Sequence, residues 1–177
     1  MDLRTAEGVC DFVAKVTEVA KASFALAGKI TPVAFLMITK NPRTGEKLTQ
    51  AEPVVLDVRQ MMTPERKDLL ADTLRAMARE SAAVGVLLIL ECWTLCLRPG
   101  AKPEEIQEWL EEHGTLEKHP DCKEAVTLQL EHVALGQKAW NAIITRQPDG
   151  SAQLGDFREV LGNSEGRFTD FLPHGSN

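Results

Sequence analysis

The 177-residue sequence predicts an α+β domain: an antiparallel sheet of about five strands with two main helices on one face, in the order α-β-β-α-β-(α)-β-β. Three observations predict it. Val84–Leu97, VGVLLILECWTLCL, is apolar on even and odd positions alike, interrupted by Glu91, the pattern of a strand covered on both sides. Two segments, near 5–27 and 63–82, place apolar residues three and four apart and carry helix boundary signals. Two alternating segments, 126–134 and 138–146, are separated by a turn-length interval.

The first helix is expected over Thr5–Ala27. Val9, Phe12, Val16, Val19 and Ser23/Phe24 form its apolar stripe, and Gly28 is placed to end it. Lys29–Lys40 then reads as a central strand, with Val33, Phe35 and Met37 on one face and Ala34, Leu36 and Ile38 on the other. Asn41–Gly45 is a turn by composition. Pro53–Arg59 alternates as an edge or half-exposed strand, with Val54, Leu56 and Val58 inward. Thr63-Pro64-Glu65 opens the second helix, which runs through Leu70, Leu74, Met77 and Ala78 to about Ala82.

Arg98-Pro99-Gly100 stops the two-sided strand, and Pro103 opens an acidic helix docked only by Ile106, Trp109 and Leu110, with Gly114 at its end. In the hairpin, Val126, Leu128, Leu130 and His132 on one strand and Trp140, Ala142 and Ile144 on the other must share the core face. Both rows are even-numbered, so directly opposed residues have an even sum and the loop is odd. A loop of Leu135-Gly136-Gln137 pairs His132 with Trp140, Leu130 with Ala142 and Leu128 with Ile144; Thr127, Gln129 and Glu131 then face outward. Ala152–Leu154 adds a short strand. Residues 1–155 therefore form one domain, with the acidic helical insertion at about 99–123. Residues 156–177 form an irregular tail, which is either disordered or laid over an apolar surface through Phe157, Phe168, Phe171 and Leu172. This order is similar to that of roadblock/longin and profilin-like modules, which often serve in dimerisation or scaffolding; the likeness is one of element order alone.

Composition narrows the function. An apolar share of 44% and a charged share of 26% suit a globular chain that needs neither disulfide nor metal to fold. No apolar run approaches a membrane span, and the first residues lack the layout of a signal peptide. Four cysteines without a CxxC pair fit a reducing compartment, so a cytoplasmic location is expected. Net charge is −6, and Glu104, Glu105, Glu108, Glu111 and Glu112 hold most of the excess. Lys and Arg form no stripe, which argues against nucleic acid as a partner; no membrane and no cofactor is expected.

Few residues offer chemistry. Glu91 is either a general acid or base or, as expected, a carboxylate near an open face or paired with Arg98 or Arg146. His132, beside Trp140 on the inward row, reads as a hydrogen-bonded core residue before a catalytic base. His113, His119 and Cys122, with Glu117 or Asp121, match no common zinc spacing. The phosphate-loop, dinucleotide, zinc-protease, calcium-loop and nucleophile-elbow templates are absent.

The leading expectation is a non-enzymatic protein-interaction or scaffold module, self-associating as a homodimer or bound to a protein partner. Its surface would be a second apolar sheet face including Leu36, Leu87, Ile89, Trp93 and Leu95, unless the tail or the acidic helix covers that face. The alternatives are a small hydrolase or isomerase using Glu91 with His132, and an acidic inhibitor presenting the Glu104–Glu112 helix to a basic surface.

Overall fold

The computed structural model describes residues 1–63, 65–96, 103–115, 118–160 and 168–172. Helix α1 (Ala6–Ala27) starts where Thr5 Oγ1 accepts the Gly8 N–H and ends on Gly28 at φ 66°, the left-handed cap conformation that glycine adopts without penalty. Strands β1 (Val33–Lys40) and β2 (Lys47–Asp57) form a hairpin, followed by α2 (Lys67–Glu80) and β3 (Gly85–Leu95). Helix α3 (Pro103–His113) links β3 to the hairpin of β4 (Cys122–His132) and β5 (Gly136–Arg146), and β6 (Ala152–Leu154) and β7 (Arg158–Glu159) complete the sheet. Strand order is β2-β1-β3-β4-β5-β6, with β7 also on β5 and every pairing antiparallel.

The α+β class, the antiparallel sheet and the order of main elements agree with the sequence reading. β6 and β7 extend the sheet beyond five strands, and β7 falls within the segment expected to be irregular. Helix α2 begins at Lys67, three residues beyond the expected first position at Pro64, which lies outside the described residues. Arg98, the strand stop at 98–100 and Glu117 lie outside them too.

One expectation is corrected: the two main helices lie on opposite faces. Val9, Phe12, Val13, Val16 and Phe24 of α1 pack with Met37, Leu87, Ile89 and the even row of β4. Leu70, Leu74 and Ala78 of α2 pack with Ala34, Leu36, Val86 and Leu88. The reason is burial. β1 and β3 present an apolar row on each face, a helix offers one apolar stripe, and two rows therefore demand two separate covers. Val86, Leu87 and Leu88 are all fully buried.

A strap of residues 168–172 completes the α2 face, with Phe171 and Leu172 buried beside Leu36 and Leu88. Its backbone is clipped from three sides. Gln129 Nε2 donates to Phe168 O at 2.7 Å, Arg75 Nη2 donates to Thr169 O at 3.0 Å, and the Glu131 carboxylate accepts the Phe171 and Leu172 N–H groups, each at 2.9 Å. Gln129 and Glu131 do point away from the α1 core, as the alternation requires, but they meet the strap instead of water.

The hairpin keeps the expected parity and changes its register. His132 pairs with Gly136, Leu128 with Trp140 and Val126 with Ala142. The loop is still three residues, now Val133–Leu135: the Leu135 N–H donates to His132 O, and Gly136 at φ 66° closes the turn. Glycine thus takes the position after the turn, the usual site of a left-handed residue in a three-residue hairpin, rather than its centre.

Candidate functional site

The surface residues expected from the sequence are divided by the fold. Leu36 lies under α2, whereas Leu87 and Ile89 lie under α1, and all three are buried. Leu36 stands opposite Val86, and its neighbour Phe35 stands opposite Leu87, so the β1 and β3 rows that were grouped together belong to different faces. Trp93 is 48% exposed and Leu95 is half-buried.

These last two residues sit where β3 outruns its neighbour. β1 pairs with Gly85–Ile89 only, while β4 pairs with the whole of Gly85–Leu95. From Leu90 to Leu95 the strand thus has one partner strand among the described residues. Cys96 N–H donates to Asp121 O at 2.8 Å. Alternation along a strand then turns the peptide groups of Glu91, Trp93 and Leu95 toward the free edge. On the α2 side of the same stretch, Cys92 Sγ lies 2.9 Å from Thr127 Oγ1, which donates to Asn141 Oδ1; Asn141 Nδ2 in turn donates to Thr94 Oγ1. Burial pushes the Cys92 thiol above its usual pKa, the opposite of what an activated nucleophile needs.

Glu91 and His132 are not brought together. Glu91 pairs with Val126 and His132 with Gly85, six residues apart along β4, or about 20 Å. Each has a structural partner. Glu91 Oε1 accepts the Ile30 N–H at 2.6 Å, fixing the chain that enters β1, while Arg146 is paired with Glu124. His132 is 1% exposed. Its Nδ1 accepts the Ala134 N–H at 3.1 Å, so the proton resides on Nε2, which donates to Leu3 O at 2.9 Å.

Burial holds the His132 pKa below its ordinary value, against a smaller opposing effect of the Leu3 bond. A histidine buried neutral contributes stability that is full above the unfolded pKa of about 6.5 and is lost as pH falls through the lower folded value. The urea midpoint of the protein should therefore drop between about pH 7 and 5, and His132→Gln should flatten that slope. Parallel slopes for the two chains would remove this role from His132.

The remaining candidates serve the acidic arm. Trp109 stacks on His113 at 3.9 Å between ring centroids, meets His119 edge-on at 4.8 Å and donates to Thr115 O. His119 Nδ1 accepts the Asp121 N–H. The five glutamates of α3 are exposed.

An apolar groove of about 570 Å³ opens between α1 and the β1–β2 side of the sheet. One wall carries Val19, assigned by periodicity to the buried stripe of α1 but 65% exposed. The other is the row Val55, Phe35 and Val33, which continues to Ile89. A second hollow of about 500 Å³, between α1 and the β4–β5 turn, is lined by Glu18, Lys138 and Glu159 beside Trp140 and Phe157; Lys138 and Glu159 are paired there. No helix among the described residues is long and apolar enough to cross a membrane. No protein-family model, no curated protein and no solved structure matches the chain.

Proposed function

We propose that the protein is a non-enzymatic interaction module that self-associates through the free edge of β3 around Trp93. The observation that carries this reading is a half-exposed tryptophan on a strand edge with no partner strand among the described residues. Such an edge is a template for pairing with another chain unless charge, proline or a bulge blunts it. The one charge on this stretch, Glu91, is engaged by Ile30.

A two-fold axis through Trp93 would set β3 antiparallel to β3 of a second copy. Trp93 then faces its counterpart, Glu91 faces Leu95 and Cys92 faces Thr94, and no like charges oppose. Burying the exposed part of an indole is worth about 2 kcal/mol per copy, in addition to the ladder hydrogen bonds. None of the four cysteines forms a disulfide among the described residues, which fits the cytoplasmic location read from the sequence.

Light scattering tests this directly. The parent chain should show twice the chain mass, and Trp93→Lys should show a single copy with parent-like melting. Leu95→Pro should do the same, since it removes an N–H directed to the free edge and costs the isolated chain little. Copies of charge −6 repel at long range, so added salt should tighten the assembly. A single-copy parent at every concentration, or variants that still pair, would overturn the proposal. Binding to a basic partner that weakens with salt would favour the α3 glutamates instead.

A further inference from the structure

We infer that the slot between α2 and β4 is a docking site for a short apolar peptide segment of a partner protein, and that the strap of residues 168–172 fills it as a built-in competitor. The first support is the way the strap is gripped. Gln129 Nε2 and Arg75 Nη2 donate to the carbonyl oxygens of Phe168 and Thr169, and the Glu131 carboxylate accepts the N–H groups of Phe171 and Leu172. Each of these bonds joins a side chain of the body to a main-chain atom of the strap. The strands, by contrast, are held main chain to main chain through their ladders. Side chains on one partner that clasp peptide groups on the other are the grip of a receptor on a peptide. They act on any chain that follows the same path, and the bonds to Arg75 and Glu131 are charge-assisted.

The second support is how little the rest of the fold needs the strap. Leu70, Leu74 and Ala78 of α2 already meet Ala34, Leu36 and Val86, and the strap takes no place in the sheet. It contributes two adjacent buried anchors, Phe171 and Leu172, with the Arg75 guanidinium 5.9 Å from the centre of the Phe171 ring. Burying two side chains is set against the entropy of ordering five residues, so docking lies close to balance. A second ligand that offers the same anchors can then displace the strap.

The strap also states the chemistry of the occupant. Its backbone turns through Asp170 at φ 57°, a conformation open to Asp, Asn and Gly and strained for a β-branched residue. The pattern is therefore an aromatic residue, one spacer, then Asp, Asn or Gly, then Phe-Leu. The clasp combines one cation, one anion and one amide, so net charge does not select the partner. The site is independent of the β3 edge. Gln129 and Glu131 stand opposite Leu88 and Val86, toward the Gly85 end of β3 and away from Trp93.

The probe is a fluorescein-labelled synthetic peptide of residues 166–174, GRFTDFLPH, followed by anisotropy. It is titrated into two full-length chains that both carry Trp93→Lys, so that self-association does not enter the reading. In one of them Phe171→Asp and Leu172→Asp keep the strap from docking while Arg75, Gln129 and Glu131 stay in place. This open chain should bind the peptide saturably, one per chain, and binding should persist in high salt. The chain with its own strap should bind about tenfold or more weakly, since its slot is open for about a tenth of the time or less. Glu131→Ala in the open chain should weaken binding about tenfold or more. Asp170→Val in the peptide should do the same, to about the same extent, whereas Asp170→Asn should not.

The proposal is overturned if the open chain does not bind, if both chains bind equally, or if a scrambled peptide binds as well. Should the open chain fail to fold, amide exchange in the parent decides. The N–H groups of Phe171 and Leu172 should exchange through local opening, faster than those of Leu87 and Leu88. Equal protection at all four would make the strap part of the core and overturn the proposal. A doubling of mass in the Trp93→Lys chain that Phe171→Asp/Leu172→Asp abolishes would assign the slot to the strap of a second copy, and would overturn it too.

Discussion

Replacing Phe171 with alanine should destabilise the protein by about 3 kcal/mol, toward the lower end of the usual loss for a buried phenylalanine. The reason for the lower end is local. The strap is held by one buried pair of side chains and by hydrogen bonds from Gln129, Arg75 and Glu131, so it can lift off without unfolding the sheet. Once it has lifted, no further contact in it can be lost. Glu131→Ala, which frees two backbone N–H groups, should therefore cost about 2 kcal/mol alone and much less in the Phe171→Ala chain. A double-mutant cycle in urea reads this coupling. Strict additivity would show that strap and sheet do not dock as one unit. Undocking would also expose Leu36 and Leu88, and both variants should gain binding of a hydrophobic dye.

Gly8→Ala should be comparably damaging although it adds one methyl group. A Cβ on Gly8 would stand 2.1 Å from the Asp2 carbonyl oxygen, inside any permitted contact and against backbone, which cannot swing aside as a side-chain end can. The turn at Asp2–Thr5, in which Thr5 N and Oγ1 both donate to Asp2 O, must leave α1. Leu3 leaves with it; it is 1% exposed, and its burial is worth about 2–3 kcal/mol. His132 Nε2 then loses its acceptor, Leu3 O. The expected result is a lower urea midpoint together with a His132 ring that titrates closer to its ordinary value, because water now reaches it. Melting identical to the parent would place the turn elsewhere.

Much of the architecture is legible in the sequence. Gly28 ends α1 as its chemistry required, and the clean alternation of 53–59 marked β2 as an edge or half-exposed strand. The hairpin parity held because a strand's period of two admits no compromise when one face is buried. The register did not hold: pairing His132 with Gly136 or with Trp140 keeps every apolar residue on the same face, so patterning alone is blind to a shift of four. Turn geometry decided it, through the left-handed Gly136. Val19 misled for a related reason. Periodicity reports which residues lie on one stripe of a helix, and α1 has a stripe wider than the part of the sheet that covers it.

The candidate sites were less legible than the fold. Trp93 was singled out for lying on an apolar strand, but nothing local to residues 84–97 states that β1 stops pairing at Ile89. The groove joins α1 to β1, β2 and β3 and has no linear signature at all. Glu131 and Gln129 read as ordinary outward polar residues, since their partners lie about 40 positions downstream.

The chain alone determined which segments are helix or strand, which rows of side chains seek burial and that β1 and β3 need shelter on both faces, because these depend on local periodicity and on the free energy of removing apolar groups from water. Tertiary structure alone decided that α1 shelters one face and α2 with the strap the other, and where cover runs out at Trp93 and along the groove. Those outcomes depend on the relative lengths and crossing of elements distant in sequence, and no residue encodes them singly.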